Sequence, residues 1–174
     1  MVESSEKLNN QAIHLAEQGE YPEAIACLKR ALTMEKENYL LWFNLGVTYR
    51  DSGDLQAAKE AMEKAIDCND KDEETIEALA ILCYNMSQLD EALTYCEMGL
   101  QLNDSNSHLW NTMGVLFFNE NLYPEAAEAF EQAVTINPYY YDALYNLHDA
   151  YEELGNTVGM QECSRRMKLI KEKN

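Results

Sequence analysis

Residues 107–140 read SHLWNTMGVLFFNENLYPEAAEAFEQAVTINPYY, and residues 39–72 read YLLWFNLGVTYRDSGDLQAAKEAMEKAIDCNDKD. In both stretches a Trp opens a run of apolar residues at i, i+3, i+4 and i+7, which is the spacing of one face of an α-helix. A second run with the same spacing follows after a polar break that holds Asn121 or Gly53. Each stretch therefore predicts two helices joined by a tight turn.

The chain repeats this hairpin with a period of 34 residues. Three series of small residues recur at that step and share one register, which is the mark of a repeat architecture. The series are Ala12, Gly46, Ala80 and Gly114; Ala24, Ala58, Ala92 and Ala126; and Ala31, Ala65, Gly99 and Ala133. Because two helices approach closely only where no large side chain intervenes, these positions predict helix-to-helix contacts in an all-α fold.

The repeat resembles the tetratricopeptide repeat. The residues that carry the resemblance are Trp42-x2-Leu45-Gly46-x2-Tyr49 with Ala58 and Met62, and Trp110-x2-Met113-Gly114-x2-Phe117 with Ala126, Phe130 and Pro138. The resemblance covers five units, at 5–38, 39–72, 73–106, 107–140 and 141–174. It implies a right-handed α-solenoid of five antiparallel helix pairs, forming a single superhelical domain over 1–174. His148, Met160 and Met167 replace small residues in the fifth unit, so we expect a degenerate capping pair there.

The resemblance also implies a binding groove. In this family the first helices of successive units line a concave face, so residues opposite their packing stripes would contact a peptide or helix of a partner protein. In this chain the groove residues are Asn9, Asn10, Ile13, Phe43, Asn44, Val47, Arg50, Glu77, Ile81, Tyr84, Asn111, Val115, Phe118, Tyr145, Asn146, Asp149 and Glu152.

Asparagines recur within this groove. Asn10, Asn44 and Asn146 occupy one slot of their units, whereas Asn111 lies one residue outside it. The family often keeps an Asn in this slot, whose amide can pair with both the donor and the acceptor of an extended backbone. The alternative is that these amides only cap or solvate a helix face, and the sequence leaves both interpretations open.

Three other groove residues have a favoured role. For Phe43 and Phe118 we favour contact with a ligand over burial, because the aromatic residue that precedes each one already occupies the packing stripe. Arg50 could bind one carboxylate of a ligand, but pairing with Asp51 or Asp54 is favoured because these residues are close in sequence.

The charge is strongly negative and unevenly distributed. The chain has 13 Lys and Arg against 31 Asp and Glu, a formal charge of −18, which disfavours nucleic acid and anionic membrane surfaces as partners. Residues 72–164 hold 17 acidic residues and no Lys or Arg, whereas residues 165–174 hold five basic residues and one Glu. The excess of acidic residues either serves solubility or attracts a basic or strongly dipolar segment of a partner protein. The expected partner is a protein or peptide that is basic, apolar or both. A weak head-to-tail contact between the basic end and the acidic half of two copies is a further alternative.

Reactive chemistry has no recognisable signature in the sequence. There is no phosphate-binding Gly loop, nucleophile elbow or His-Glu-x-x-His helix. The five cysteines lack a Cys-x-x-Cys spacing and are expected as reduced core residues, and the three histidines lie in different units without metal-ligand spacing. We therefore expect neither an enzyme nor a metal site, and no cofactor.

The sequence thus predicts a protein–protein interaction scaffold. The alternative is an acidic repeat chaperone that holds a secretion or assembly client. The start of the chain lacks the basic and apolar regions of a signal peptide, and no apolar run approaches the ~18 residues of a spanning helix. A cytoplasmic location is expected.

Overall fold

The computed structural model describes residues 4–173, and this part of the chain consists of ten α-helices and no β-strand. The helices are α1 Ser5–Glu17, α2 Tyr21–Met34, α3 Tyr39–Asp51, α4 Leu55–Cys68, α5 Glu73–Asn85, α6 Leu89–Leu102, α7 Ser107–Asn119, α8 Tyr123–Ile136, α9 Tyr141–Glu153 and α10 Thr157–Lys173. The predicted all-α fold of five helix pairs is confirmed.

The chain divides into two compact units, residues 1–82 (unit 1) and residues 83–174 (unit 2). The pairs α1/α2 and α3/α4 pack within unit 1, and α7/α8 and α9/α10 pack within unit 2. The single superhelical domain expected over residues 1–174 stays a prediction.

Unit 1 is built around the small residues of the repeat. Ala12, Ala24 and Ala31 have no exposed surface and pack with Leu28 and Leu45 in one core. Each Ala lets the backbone of the facing helix approach, because a methyl group is the largest side chain that fits between closely packed helices. The small positions act as the sequence predicted.

The core of unit 2 is centred on Phe130, the most voluminous of the fully buried side chains among the described residues. Ala126, Ala133, Leu144 and Leu147 pack with it, and the first two also have no exposed surface. Phe130 of the fourth repeat corresponds to Met62 of the second repeat and is larger. The small residue that faces it, Gly114, corresponds to Gly46.

The turn inside each hairpin uses one residue in the left-handed conformation. The residues are Gly19, Gly53, Ser87, Asn121 and Gly155, with φ between 59° and 90°, and they are 34 residues apart. Glycine has no Cβ to clash there, and Asn tolerates this region better than most residues. The sequence identified Gly53 and Asn121 as turn residues, and Ser87 lies one 34-residue step from each of them.

Local capping fixes where several helices begin. The Asn38 side chain accepts a hydrogen bond from the backbone N–H of Leu40 in the first turn of α3, and the Asn106 side chain accepts from those of His108 and Leu109 in the first turn of α7. Pro22 and Pro124 lie in the first turn of α2 and α8, where the missing N–H has no intrahelical partner to lose. These caps stop each helix from extending into the loop that precedes it.

The fifth pair packs differently from the others. Gly159 of α10 lies against the Tyr151 ring of α9, so that a Cβ on Gly159 would be 2.5 Å from two ring carbons. Cys163, one turn further along α10, is buried, whereas Met160 is half-buried. The contact face is therefore shifted by one residue from the repeat register, as the large residue at Met160 requires.

No helix among the described residues combines the length and the apolar character needed to cross a membrane.

Candidate functional site

Unit 1 contains an asparagine bridge between two first helices. The Nδ2 group of Asn44 on α3 donates a hydrogen bond to Oδ1 of Asn9 on α1, over 2.8 Å. Both side chains are half-buried, whereas Asn10, the predicted groove residue next to Asn9, is exposed. The bridge ties α1 to α3 on the face predicted to form the groove.

Unit 2 contains the same bridge. The Nδ2 group of Asn146 on α9 donates to Oδ1 of Asn111 on α7, over 3.0 Å, and both bridges join residues that are 35 apart. Asn111 therefore corresponds to Asn9, which explains why it lies one residue outside the predicted slot. The amides do not only cap or solvate one helix, because each bridge connects consecutive first helices.

Each bridge leaves hydrogen-bonding groups for a ligand. An Asn side chain has two N–H donors and one carbonyl acceptor, and one bridge uses a single donor and a single acceptor. In the Asn44–Asn9 bridge, the carbonyl of Asn44 and the amide nitrogen of Asn9 are not consumed by it. A donor and an acceptor side by side match the backbone of an extended peptide.

Four predicted groove residues meet around one small cavity in unit 2. Val115 and Phe118 from α7, and Asn146 and Asp149 from α9, line about 80 Å³ of space. The Phe118 ring also packs edge-on against Tyr123, with 5.2 Å between the ring centroids. Phe118 thus contributes both to the core and to the cavity wall, and its contact with a ligand stays a prediction.

The other predicted groove residues differ in their exposure. In unit 1, Phe43, Val47 and Glu77 are half-buried and Ile81 is 40% exposed. In unit 2, Tyr84 is half-buried and Tyr145 is 53% exposed.

Arg50 is paired within the chain. Its Nη2 lies 2.9 Å from Oδ1 of Asp51, and its Nε donates to the same oxygen. The predicted pairing with a neighbouring acid is confirmed, with Asp51 as the partner. A ligand carboxylate would have to compete with this contact.

A cluster of potential metal ligands lies on α9, which the spacing of the histidines did not indicate. Ligand atoms of His148, Asp149 and Glu152 lie within 4.8 Å of one another. Nδ1 of His148 is 3.4 Å from Oδ1 of Asp149, a contact between neighbouring residues on an acidic, partly exposed helix face. Helical spacing alone accounts for the cluster, because residues i and i+4 share a face.

The cysteines are thiols, and three of them are buried as expected: Cys83, Cys96 and Cys163. The expectation of a core position is wrong for Cys68, which is exposed because it is the last residue of α4. Burial raises the pKa of Cys163 to about 11. A thiol with such a pKa is a poor nucleophile near neutral pH, because the thiolate is the reactive form.

The helix pairs, their 34-residue step and their small contact positions define a repeat that known families share. Residues 9–73 and 111–159 match the sequence profile described as the tetratricopeptide repeat. The chain belongs to the tetratricopeptide repeat (TPR) family. TPR proteins generally mediate protein–protein interactions, and their scaffolds are typically non-enzymatic.

Curated relatives are similar to parts of this TPR chain. The BBSome complex member bbs-4 of Caenorhabditis elegans is 27% identical over 131 residues, which are 75% of this chain and 28% of the relative. The BBSome complex member BBS4 homolog of Drosophila melanogaster is 25% identical and matches 86% of this chain and 32% of the relative. The chain thus spans about a third or less of these relatives.

Solved structures of TPR proteins share the fold. MamA matches with a TM-score of 0.86 at 21% identity, covering 93% of this chain and 95% of MamA. YrrB, described as a TPR protein with an unusual peptide-binding site, matches with a TM-score of 0.76 at 23% identity, covering 94% of this chain and 84% of YrrB.

Sequence reasoning placed Asn9 on the groove face of the TPR repeat but did not predict its hydrogen-bonded bridge to Asn44. The signal that could have found it is the 35-residue distance from Asn9 to Asn44, which recurs from Asn111 to Asn146. That step is one residue longer than the repeat. It joins Asn9, one residue before Asn10 in the first repeat, to Asn44, which is the residue equivalent to Asn10 in the second repeat. Asn111 and Asn146 have the same relation in the fourth and fifth repeats.

Proposed function

We propose that this TPR protein is an interaction scaffold that binds a segment of a partner protein on the inner faces of its first helices. The observation that carries the proposal is the cavity in unit 2, where Val115 and Phe118 form an apolar wall beside the amide of Asn146. Such a site can accept an apolar side chain and hold the adjacent backbone at the same time.

The asparagine bridges support a grip on the backbone of the partner. Asn146 is held in place by its bond to Asn111, so its carbonyl can accept from a backbone N–H without first losing side-chain freedom. Asn44 and Asn9 offer the same arrangement in unit 1. A grip of this kind tolerates many partner sequences, and the apolar cavity then supplies the selection.

The charge of the site favours a basic and apolar partner. Asp149 lines the cavity, and residues 72–164 contain 17 acidic residues without Lys or Arg. Complementary charge raises association rates and disfavours acidic competitors. The association rate of a basic partner segment should accordingly fall as salt is added.

Short fluorescein-labelled peptides, blocked at both ends and carrying a central Val or Leu between lysines, test the proposal by fluorescence anisotropy. We expect saturable binding that is weaker when serines replace the lysines. Phe118→Ala should weaken binding by about 5- to 30-fold, equivalent to about 1–2 kcal/mol. Tyr139→Ala removes an exposed aromatic residue outside the groove and serves as the control. Equal affinities for wild type and Phe118→Ala would contradict the proposal.

A chaperone of unfolded clients is the alternative function, and it predicts a different ligand state. A chaperone suppresses the aggregation of an unfolding client enzyme, as measured by light scattering. The scaffold is expected to leave that aggregation unchanged while still binding the lysine-flanked peptides. Suppression at equimolar concentration would favour the chaperone.

A further inference from the structure

A larger cavity, of about 440 Å³, lies in unit 1, on the side of α3 opposite to the predicted groove residues. Its apolar lining includes Leu32 from α2, Trp42 and Tyr49 from α3, and Ala61 from α4. Residues 42 and 49 share one face of α3, whereas the groove residues Phe43 and Val47 lie on the other. A ligand in this cavity would therefore not occupy the groove.

Three exposed lysines line the same cavity: Lys29, Lys36 and Lys64. Nζ of Lys64 lies 4.7 Å from the centroid of the Trp42 ring, and Nζ of Lys29 lies 5.6 Å from that of Tyr49. Glu60 is the one acidic residue among the described residues of the lining. In a chain with a formal charge of −18, this cavity is locally positive.

The corresponding cavity in unit 2 shows which of these features belong to the repeat. It has a volume of about 370 Å³ and is lined by Trp110, Phe117 and Ala129, which follow Trp42, Tyr49 and Ala61 by 68 residues. Nε1 of Trp110 donates to a loop carbonyl over 2.7 Å, as Nε1 of Trp42 does. The aromatic slot is therefore a property of the repeat.

The charge of the two cavities differs. Glu125, Glu128 and Glu131 line the cavity of unit 2, Gln132 takes the place of Lys64, and no lysine is among its described lining residues. Lysines therefore line the cavity of unit 1 and not the corresponding cavity of unit 2, and they favour a ligand of negative charge.

We propose that the cavity of unit 1 binds an acidic segment of a partner protein. An apolar side chain of that segment enters between Trp42 and Tyr49, and carboxylates on either side pair with Lys64 and Lys29. Trp42 and Tyr49 are two helical turns apart, about 10 Å along α3. A peptide in the polyproline II conformation has three residues per turn and rises about 3.1 Å per residue, so side chains three positions apart point to the same side about 9 Å apart. The expected pattern is therefore two acidic residues three positions apart with an apolar residue between them.

The charge complementarity argues for this occupant over others. A basic segment would be repelled by the three lysines that line the cavity. The ammonium groups of Lys29 and Lys64 are already close to aromatic faces, and a carboxylate that pairs with either one adds a charged contact next to an apolar surface.

The test uses the fluorescence of Trp42. The chain has two Trp residues, so Trp110→Phe leaves Trp42 as the only one. The probe is acetyl-Gly-Glu-Phe-Ala-Glu-Gly-amide. We expect a saturable change in Trp42 emission, confirmed by calorimetry. Replacing both glutamates of the probe with lysine, or its phenylalanine with alanine, should weaken binding at least about tenfold.

Variants of the protein locate the site. Lys64→Glu should weaken probe binding about tenfold or more, whereas Lys71→Glu, an equal change of charge at an exposed position of unit 1 outside the cavity, should leave it within about twofold. Lys64→Gln keeps the aliphatic stem and should give an intermediate affinity. Far-UV circular dichroism shows whether each variant is folded.

Other outcomes would overturn the proposal. If the probe whose two glutamates are replaced with lysine bound as tightly as the original probe, the cavity would not select anions. Unchanged affinity of Lys64→Glu for the original probe would show the same. Self-association that is lost in Lys64→Glu, together with no probe binding, would make a second copy of the chain the occupant. Phe118→Ala should leave probe affinity unchanged, so failure here does not bear on the groove in unit 2.

Discussion

Gly114 on α7 lies against the ring of Phe130 on α8, so closely that a Cβ atom on Gly114 would be 2.5 Å from Cε1 and 2.6 Å from Cδ1 of the ring. The corresponding Gly46 on α3 faces Met62 on α4, and its Cβ would be 2.5 Å from Cγ of that side chain. A Cβ on Gly46 would also lie 3.1 Å from the carbonyl oxygen of Ala58 and 3.3 Å from the backbone nitrogen of Met62. The worst clash of this slot is therefore with a rigid ring in the fourth repeat and with a flexible side chain in the second.

This difference predicts unequal costs for the same substitution. Gly114→Ala should destabilise the protein by about 1–3 kcal/mol through overpacking, less the roughly 1 kcal/mol that Ala gains over Gly in a helix. Gly46→Ala should cost less, because Met62 can change rotamer more easily than a buried ring can move. Urea unfolding followed by circular dichroism measures both, and a larger loss for Gly46→Ala would contradict the packing argument.

The left-handed turn positions predict a stabilising change. Ser87 has φ of 59°, in a place where three of the other hairpins have Gly. Ser87→Gly should raise stability by about 0.5–1 kcal/mol, since it removes a Cβ clash of about 1–2 kcal/mol and adds some backbone entropy to the unfolded state. The melting temperature is the measurement. Gly53→Ser is the reverse change at the equivalent turn, and it should lower the melting temperature.

Glu35 predicts an acid-sensitive contact in the first hairpin. Hydrogen bonds from Ser5 and Asn38 lower the pKa of Glu35. Because the pKa is lower in the folded state, the stabilisation is present above the unfolded pKa of about 4.3 and is lost as the pH falls through the folded pKa.

Glu35→Gln removes this effect and tests it. The difference in urea midpoint between wild type and Glu35→Gln should be constant above about pH 6 and should shrink as the pH falls below about 4. The exposed Glu20→Gln is the matched control for the loss of one negative charge. A difference that grows towards low pH would contradict the assignment.

Burial predicts the order in which the thiols react. Cys68 is exposed, whereas Cys163 is buried and its pKa is raised to about 11. Iodoacetamide at pH 8 should alkylate Cys68 first and leave Cys163 unmodified until the protein unfolds, because the thiolate is the reactive form. The pKa of Cys68 is also raised, by partial burial and by the charges of Glu37 and Asp67, so its rate should be below that of a free thiol. Peptide mapping by mass spectrometry gives both rates.

The sequence predicted the helix-to-helix contacts that require a small side chain. Ala12, Ala24 and Ala126 are fully buried because a closely packed helix pair leaves no space for more than a methyl group. It was less informative on polar groups, as Asn111 shows. Its partner Asn146 lies on another helix, and nothing in the local sequence reports the distance between the two amides.

Two of the three lysines that line the unit 1 cavity illustrate the same limit. Lys29 and Lys64 lie 35 residues apart in sequence and are unremarkable as surface charges, yet the packing of α2, α3 and α4 sets both against aromatic rings that line one cavity. Helical periodicity predicts the face on which a side chain lies, but it does not predict which neighbouring helix supplies the residue beside it.

The sequence by itself determined the all-helical repeat, its period and its small contact positions, because these follow from spacing and side-chain volume along one chain. The tertiary structure alone decided that Asn9 bridges to Asn44 and that α10 packs through Gly159. The physical reason is that hydrogen bonds and cavities between helices depend on distances of a few ångströms, which the rotation and approach of the packed helices set.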